Sequence, residues 1–388
     1  MKNQYHKTIY ACFLGYIVQA IVNNFVPLLF LTFEETYQIP LSRITLLVTI
    51  NFAVQLLVDL LAIGFVDRIG YRVSILIAHI FSAGGVLLLT VLPDRCSEPF
   101  VGLLIAVIIY ATGGGLLEVL VSPIIESCPT DNKEAAMSLL HSFYCWGHVG
   151  VVFFAVFGID NWKIMAIIWA CIPLANTILF AKVPIAPLIG EGEKGLTIKE
   201  LCSKKLFWLF LLMMICAGAS EQAVSQWAST FAEKGLGVSK TIGDLAGPMF
   251  FAICMGLSIA YYGKFGEKIN LQRFMIGSSM LCVVSYLGIV FFTIPALGLI
   301  SCGIAGLSVG IMWPGTFSMA SASIKRGGTA MFALMALAGD LGCAGGPTVV
   351  GMVSGHFADN LQMGTLAAIV FPVILCVGLA YTKKVRNV

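Results

Sequence analysis

The sequence is divided by apolar stretches, each long enough to cross a lipid bilayer. A spanning helix needs about 20 such residues, and twelve stretches of this kind run through the 388 residues. They cover residues 8–33, 44–66, 73–92, 100–125, 135–158, 162–183, 206–231, 242–263, 273–292, 295–320, 329–355 and 361–382. No ten-residue pattern of alternating polar and apolar residues occurs, so the spans are predicted to be helices rather than barrel strands.

The composition agrees with an all-α integral membrane protein. Hydrophobic residues make up 59% of the chain and charged residues only 11%, whereas soluble domains carry about 25% charged residues. A net charge of +3 and the lack of a basic patch with interleaved aromatic residues argue against nucleic-acid binding. The first apolar stretch has no small-residue cleavage site after it, so it is expected to be a retained span rather than a signal peptide.

The distribution of Lys and Arg sets the expected orientation. With both termini in the cytoplasm, eighteen of these residues fall in cytoplasmic segments and five in outer loops. Such a bias is typical of membrane proteins, whose cytoplasmic loops are rich in positive charge. We therefore expect a multi-pass protein of a bacterial-type inner cell membrane, surrounded by lipid, with both termini cytoplasmic.

One long polar segment divides the spans into six and six. Residues 184–205 carry Lys and Glu residues together with Pro184 and Pro187. Residues 1–183 are therefore predicted to form an N-terminal six-helix bundle, 184–205 a cytoplasmic linker, and 206–388 a C-terminal six-helix bundle. Leu196, Leu201 and Leu206 among the linker charges suggest a short surface helix.

A short charged loop joins the second and third spans. It reads Gly64-Phe-Val-Asp67-Arg68-Ile-Gly70-Tyr-Arg72. Gly64 is expected to let a neighbouring helix come close, and Gly70 to permit a tight reversal. Asp67 is placed where it could face a helix N-terminus, and both arginines are too polar to enter hydrocarbon. A similar sequence, residues 265–270, occupies the equivalent loop of the second half, which fits a duplicated six-span unit.

Acidic residues inside the spans are the first candidates for function, since a buried charge in a membrane is costly. Glu118 of the fourth span follows Gly113-Gly114-Gly115 and precedes Pro123. The glycines predict close helix contact. A carboxyl group in this position could exchange protons, or it could pair structurally with a neighbouring helix. Glu221 ranks next, and Asp340, among the glycines of the eleventh span, ranks third.

Polar side chains also recur at helical spacing in several spans. In the seventh, Glu221, Ser225 and Ser229 repeat every four residues, as do Gln222 and Gln226, with Trp227 beside them. Such a face lines either a water-filled cavity or a helix contact. Asn51, Gln55 and Asp59 form a similar stripe on the second span, and His141, Tyr144 and His148 lie on one face of the fifth. Gln19, Asn23 and Asn24 fall near the middle of the first span. Trp313 and Pro314 break the tenth span, where a kink would place the indole near the centre, as a solute contact or as a core aromatic. The histidines could relay protons or be structural.

Motifs for covalent chemistry are missing from the sequence. No nucleophile–base set occurs, and Gly113–Gly115 lacks the Lys-Ser/Thr of a phosphate-binding loop. The twelve cysteines are scattered singly, without the spacing of a metal site or of a disulfide framework. We therefore expect no cofactor, no metal and no enzymatic activity, and infer that a gradient drives the protein.

The loop pattern Gly-x-x-Asp-Arg-x-Gly-x-Arg at residues 64–72, between the second and third spans, resembles the signature loop of the major facilitator superfamily. Residues 113–123, 218–227, 311–318 and 339–351 look most like the fucose permease branch. The resemblance implies two six-helix bundles that rock about a central site. It also implies that Asp67 meets the start of the eleventh helix near Gly328 and Thr329, and that Arg72 pairs with an acid such as Glu126. Glu118 matches the fourth-span acid of proton-coupled fucose permeases, but Pro27 stands where their first-span acid would be.

These observations leave three functions open. The first is a monomeric, proton-coupled importer of a sugar or sugar-like small polar solute, whose hydroxyls suit amides and a carboxylate and whose apolar face suits an indole. The alternative is a proton-driven exporter of drugs or metabolites. A non-transporting receptor is the third, and it would normally carry a further soluble domain.

Overall fold

The computed structural model describes residues 2–39, 41–44, 46–157, 161–188, 195–228, 231–232, 237–239, 242–243, 245–292, 294–357 and 360–386, and all the regular secondary structure in them is helical. Twelve helices in these ranges are long and apolar enough to cross a membrane. They are α1 (His6–Leu28), α2 (Leu46–Ile69), α3 (Tyr71–Leu89), α4 (Pro99–Ser127), α5 (Lys133–Phe154), α6 (Trp162–Lys182), α7 (Lys205–Ser225), α8 (Leu245–Lys268), α9 (Leu271–Phe291), α10 (Pro295–Ser323), α11 (Gly328–His356) and α12 (Leu361–Thr382). The predicted fold class is confirmed.

Helix boundaries depart from the hydropathy pattern where backbone chemistry interrupts it. The first span was expected to reach residue 33, but α1 ends at Leu28, one residue after Pro27, and a separate helix follows over Phe30–Tyr37. Within α10 the regular helix stops at Val309 and resumes at Met312. Pro314 has no amide hydrogen, so it cannot donate to the carbonyl four residues earlier, and the helix loses its regular bonding there.

Contacts divide the chain into two compact units. Unit 1 comprises Met1–Asp131, Trp146–Gly195 and Gly328–Ala333, and unit 2 comprises Asn132–Cys145, Leu196–Gly327 and Leu334–Val388. The first part of α5 belongs to unit 2 through its contacts with α8. Ser138 Oγ donates to the carbonyl of Ile259 at 2.9 Å, and a Cβ on Gly263 would lie 3.1 Å from the Cβ of Leu139.

Three consecutive glycines of α4 bring three helices of unit 1 together. A Cβ at Gly113 would lie 2.4 Å from Ser82 Oγ of α3, and one at Gly114 would lie 2.8 Å from a methyl group of Val22 in α1. A Cβ at Gly115 would lie 3.0 Å from the Cα of Gln55 in α2. Real Cβ contacts are essentially never as short as those at Gly113 and Gly114, and the contact at Gly115 is tighter than most, so glycine is favoured at all three positions. The close contact predicted from the sequence is confirmed, and it lies one turn before Glu118.

Glycines also determine how α7 and α11 pack in unit 2. A Cβ at Gly342 would lie 2.0 Å from the carbonyl oxygen of Ile215, and one at Gly346 would lie 2.4 Å from that of Ala219. A Cβ at Gly218 would lie 2.3 Å from the carbonyl oxygen of Gly339. Small residues allow two backbones to approach in this way, which increases van der Waals contact where no hydrophobic effect operates between helices.

The described part of the linker contains a short helix, Ile198–Cys202. Thr197 begins it with a capping box, in which its hydroxyl accepts from the Glu200 amide and the Glu200 carboxylate accepts from the Thr197 amide. These backbone and hydroxyl hydrogen bonds lower the pKa of Glu200. Leu201 is buried, as expected for the apolar side of such a helix.

A polar cluster in unit 1 links three of the segments that lie between or at the ends of its spanning helices. Tyr37 donates to Asp94 Oδ1 at 3.0 Å, and the Lys163 ammonium donates to Asp94 Oδ2. The hydrogen bond from Lys163 is the largest cause that lowers the pKa of Asp94. These contacts connect the Phe30–Tyr37 helix and the Leu92–Arg95 turn to the first turn of α6.

Candidate functional site

Side chains of α1, α2 and α4 form a hydrogen-bonded cluster in unit 1. Gln19 Nε2 donates to Glu118 Oε2 at 3.2 Å and to Gln55 Oε1 at 3.0 Å. Gln55 Nε2 donates in turn to Asn23 Oδ1 at 2.8 Å, and Asn51 Nδ2 donates to the same oxygen at 3.3 Å. We call these five residues the amide–carboxylate cluster.

The cluster is buried on one side and accessible on the other. Gln55, Asn51 and Gln19 are only 1%, 3% and 4% exposed, whereas Asn23 and Glu118 are half-buried. In this conformation Glu118 and Asn23 are therefore the accessible members of the cluster, and the amides of Gln19, Asn51 and Gln55 are bonded to them in the interior. Such a network of polar groups inside a membrane domain is costly to bury, which makes it the first candidate for a binding site.

The structure brings together five of the residues singled out in the sequence, namely Asn23, Gln55 and Glu118 with Gln19 and Asn51. Asn24 donates to the carbonyl oxygen of Ala20 in its own helix at 2.8 Å. Gln19 and Asn51 appeared in the sequence as polar members of their spans. Helical spacing within one span does not show which polar residues of different spans meet, and the contact among three helices supplied that information.

A second polar group lies on α7 in unit 2. Gln226 Nε2 donates to Gln222 Oε1 at 3.0 Å, and Gln222 Nε2 donates to Glu221 Oε1 at 3.1 Å. Trp227 Nε1 donates to the carbonyl oxygen of Pro347 on α11 at 3.2 Å. The predicted polar stripe is present as far as Gln226, while Ser229 lies outside the described residues. In this structure the Trp227 indole nitrogen is used by a helix contact.

The other two candidates of unit 2 are neighbours on α10 and α11. The Trp313 ring packs against Gly339, where a Cβ would lie 2.2 Å from the ring. Asp340, the next residue on α11, is 7% exposed. Trp313 lies in the first turn after the break in α10, so the irregular backbone there places the indole against α11.

The loop between α2 and α3 contacts the first turn of α11 within unit 1. Thr329 Oγ1 donates to Asp67 Oδ1 at 2.6 Å. The Tyr71 hydroxyl lies 2.6 Å from the same Thr329 oxygen, and because Thr329 uses its hydrogen on Asp67, Tyr71 is the donor. The contact that the resemblance implied for Asp67 is present. Tyr71 completes it, in a role that no pattern in the sequence indicated.

Three other loop residues behave differently from one another. Gly70 has a φ of +86°, a conformation that glycine adopts easily, and it begins α3 as expected for a tight reversal. Gly64 was expected to allow a close helix, but a Cβ there would meet no atom of the described residues within 4 Å, so that prediction is wrong for the part of the chain that the structure describes. Arg68 is exposed.

Arg72 was expected to pair with Glu126, and its observed acceptors differ. Its guanidinium donates to the carbonyl oxygens of Phe180, Ala181 and Val183 at 2.8, 3.0 and 2.9 Å. The last carbonyls of a helix have no partner within the helix and favour a cation. Arg72 thus fixes the start of α3 to the end of α6.

Comparison with known families agrees with this loop and with the twelve helices. The family model described as Major Facilitator Superfamily matches residues 11–347. The chain belongs to the Major Facilitator Superfamily.

Solved structures of other superfamily members show the same fold at low sequence identity. FucP, a superfamily transporter in an outward conformation, is 14% identical, with 97% of this chain and 99% of that chain covered and a TM-score of 0.80. The Escherichia coli fucose:proton symporter FucP, in a second structure, is 13% identical, with the same coverage and a TM-score of 0.79. The proton:xylose symporter XylE is 13% identical, with 98% and 96% covered and a TM-score of 0.82. No curated relative matches this superfamily member by sequence.

Histidines of this transporter fall into two settings. His141 of α5 is buried, with its ring 6.2 Å from that of Phe317, whereas Tyr144 and His148 are half-buried. His79 of α3, which the sequence did not single out, is fully buried. Its Nδ1 lies 2.8 Å from the carbonyl oxygen of Ile75, and its Nε2 lies 2.8 Å from Asn176 Nδ2. This imidazole must therefore be neutral with the hydrogen on Nδ1, which suits a structural role.

The described residues contain no group of three or more His, Cys, Asp or Glu side chains that could hold a metal ion. The candidate residues that the structure describes offer amides, carboxylates, hydroxyls, imidazoles and indoles. These groups can bind and orient a polar solute and can carry protons.

Proposed function

We propose that this chain is a secondary active transporter that takes up a sugar or sugar-like small polar solute together with protons by alternating access. The observation that carries the proposal is the hydrogen bond from Gln19 to Glu118 within a cluster built by α1, α2 and α4. It places an exchangeable carboxyl group beside amides that can bind hydroxyl groups. Solute and proton can then act on the same set of hydrogen bonds, which is a physical basis for coupling.

Each group of residues has a part in this proposal. Glu118 would carry the proton, and Gln19, Asn23, Gln55 and Asn51 would bind the solute. Because a carboxylate accepts hydrogen bonds and a carboxylic acid also donates one, a change in the charge of Glu118 changes what its neighbours can bind.

Unit 2 has a polar surface of its own with the same chemistry. Glu221 and Gln222 are half-buried on α7, and the indole of Trp313 offers an apolar face of the kind that sugars stack on. We keep His141 and Tyr144 as members of the proposed solute and proton pathway. FucP and XylE are described as sugar:proton symporters, and at 13–14% identity their likeness supports the sugar assignment only as a proposal.

The loop contact would act as a gate. Asp67 and Tyr71 both bond to Thr329, so any conformation that separates the ends of α2 and α11 must break two hydrogen bonds. We propose that two six-helix halves, residues 1–183 and 206–388, move about the linker as a single-chain carrier in the cell membrane. Both termini would face the cytoplasm, and the protein would have no enzymatic activity.

Glu118→Gln in proteoliposomes tests the proton coupling. Gln keeps the size of the side chain and one acceptor, but it cannot release a proton. We expect the variant to lose accumulation driven by a pH gradient and solute-dependent internal acidification, while it retains counterflow of solute at equal pH. Glu98→Gln is the matched control, because Glu98 is exposed and lies outside the spanning helices, and it should behave as the unmodified protein.

Two results would contradict the proposal. If Glu118→Gln still acidified the vesicle interior upon solute addition, coupling through Glu118 would be wrong. If the unmodified protein expelled solute against a gradient rather than accumulating it, the exporter assignment would replace the importer.

A further inference from the structure

The orientation of every amide in the amide–carboxylate cluster is fixed by Glu118. A carboxylate can only accept hydrogen bonds, so the nitrogen of Gln19 must face Glu118 Oε2. The same nitrogen lies 3.0 Å from Gln55 Oε1, which points the Gln55 nitrogen towards Asn23 Oδ1. Asn51 Nδ2 then shares that oxygen. The nitrogens of Gln19, Gln55 and Asn51 therefore all donate within the cluster.

Two side-chain oxygens of the cluster have no hydrogen-bond donor after this assignment. Gln19 Oε1 and Asn51 Oδ1 are buried and have no hydrogen-bond partner among the described residues. Pro27 adds to the excess because it has no amide hydrogen to donate to the carbonyl of Asn23, four residues earlier in α1. A buried acceptor without a donor costs free energy. The cluster thus needs hydrogen-bond donors from outside the protein.

No positive charge of the three helices lies near these oxygens. The basic residues of α1, α2 and α4 are Lys7, in the first turn of α1, and Arg68, in the last turn of α2. At a rise of about 1.5 Å per residue, Lys7 is about 18 Å along the helix from Gln19, and Arg68 is about 20 Å from Gln55. An anionic solute here would meet a carboxylate and two lone acceptors with no cation supplied by these three helices, and such an arrangement disfavours binding.

We infer that the amide–carboxylate cluster selects a solute by its hydrogen-bond donors and excludes anions: it takes clustered hydroxyl or ammonium groups and rejects carboxylates and phosphates. This inference rests on the proposed function and narrows its substrate class. Gln19 Oε1 and Asn51 Oδ1 are the specificity-determining acceptors. Sugars, polyols and amino sugars fit, whereas sugar acids and sugar phosphates of the same skeleton do not.

The first experiment compares solutes that share one skeleton. Thermal stabilisation of the full chain in lipid nanodiscs is measured with D-glucitol, 2-amino-2-deoxy-D-glucose, D-gluconate and D-glucose 6-phosphate, and with the corresponding pentose set. Stabilisation should be confined to the neutral and amino members. Asn51→Leu should weaken their binding roughly tenfold, the size of one lost hydrogen bond. Stabilisation by gluconate or by the phosphate that is lost in Asn51→Leu would overturn the inference.

The second experiment needs no ligand. Leu has nearly the shape of Asn and removes the buried lone acceptor. It also removes the long 3.3 Å bond from Asn51 Nδ2 to Asn23 Oδ1, an oxygen that keeps its donor Gln55 Nε2. Ligand-free Asn51→Leu should therefore unfold roughly 1–3 °C above the unmodified protein. Asn176→Leu is the matched control, because Asn176 Oδ1 is likewise buried without a partner among the described residues, but its nitrogen makes two short bonds, to the Ala11 carbonyl at 2.9 Å and to His79 at 2.8 Å. That variant should unfold at a lower temperature. If Asn51→Leu lowered the unfolding temperature as Asn176→Leu does, the acceptor would already be satisfied, for example by water, and the inference would fail.

Failure of the proposed transport function and failure of the inferred selectivity give different results. If proteoliposomes take up no solute at all, the proposed transport function fails, while the ligand-free comparison still tests the excess of acceptors. If they take up gluconate in preference to glucitol, transport stands and the inferred selectivity is wrong.

Discussion

Replacing Thr329 by Val tests the loop contact with the least disturbance of shape. Thr329 is 2% exposed, and its hydroxyl bonds to both Asp67 Oδ1 and the Tyr71 hydroxyl at 2.6 Å. Val keeps the volume and removes only the hydroxyl. Both partners then lose a hydrogen bond, and the first turn of α11 loses its attachment to the loop.

The size of the effect follows from the exposure of the two partners. A hydrogen bond to a charged group contributes about 1.5–3 kcal/mol when buried, but Asp67 is exposed and can be rehydrated. We therefore assign about 1 kcal/mol to this bond and up to about 1 kcal/mol to the Tyr71 bond. A total of about 1–2 kcal/mol changes the ratio of attached to detached states roughly 5- to 30-fold.

Hydrogen exchange followed by mass spectrometry measures this ratio directly. Amides at the start of α11, from Gly328 to Ala333, should exchange roughly 5- to 30-fold faster in Thr329→Val, since exchange follows the population of the open state. Thr348→Val is the matched control in the same helix, where the hydroxyl bonds only to the Ala344 carbonyl of its own helix. Equal exchange in the two variants would refute the contact as a stabilising one. Unchanged uptake by Asp67→Asn would separately remove the gate assignment.

Three further predictions concern the loop, the polar cluster beside α6 and the topology. Gly70→Ala should lower stability by about 1–2 kcal/mol, because L residues are strained at a φ of +86°, whereas Gly84→Ala, with open space around its Cβ, should not; thermal unfolding compares them. Asp94 has a lowered pKa, so its contribution is present above the unfolded value of 3.8 and is lost as the pH falls through the folded one. Asp94→Asn should therefore match the unmodified protein at acid pH and be less stable by under about 1 kcal/mol at pH 7, the carboxylate being largely exposed; equal stability at both pH values would contradict this. Cys96 should react with an impermeant maleimide in intact cells and Cys202 should not, and the reverse pattern would invert the topology.

Much of the fold could be predicted from the sequence because the bilayer imposes one requirement on every span. Apolar length, the scarcity of charge and the need to satisfy each backbone group within the segment gave twelve helices near their observed positions. Turns and helix breaks could also be predicted where they depend on the backbone properties of a single residue. The reversal at Gly70 and the break before Pro314 depend on torsion angles and a missing amide hydrogen, and neither requires knowledge of a distant residue.

The partners of polar side chains could not be read in this way. Arg72 was expected to meet a carboxylate, yet it bonds to the helix end at Phe180–Val183, and Gly64 was expected to meet a helix, yet the described residues leave the space around it open. A charge or a glycine has several physically acceptable partners. The choice among them depends on the packing of helices that lie far apart in the sequence.

The sequence by itself determined that this chain crosses the membrane twelve times, which of its loops are charged, and which spans contain amides and carboxylates. Those properties depend on composition and on the periodicity of a single helix. Only the tertiary structure decided that Gln19, Asn23, Asn51, Gln55 and Glu118 form one network with acceptors left over. The physical reason for this network is that α1, α2 and α3 converge on the three glycines of α4. Side chains of different helices can form hydrogen bonds only where the helix backbones lie close together.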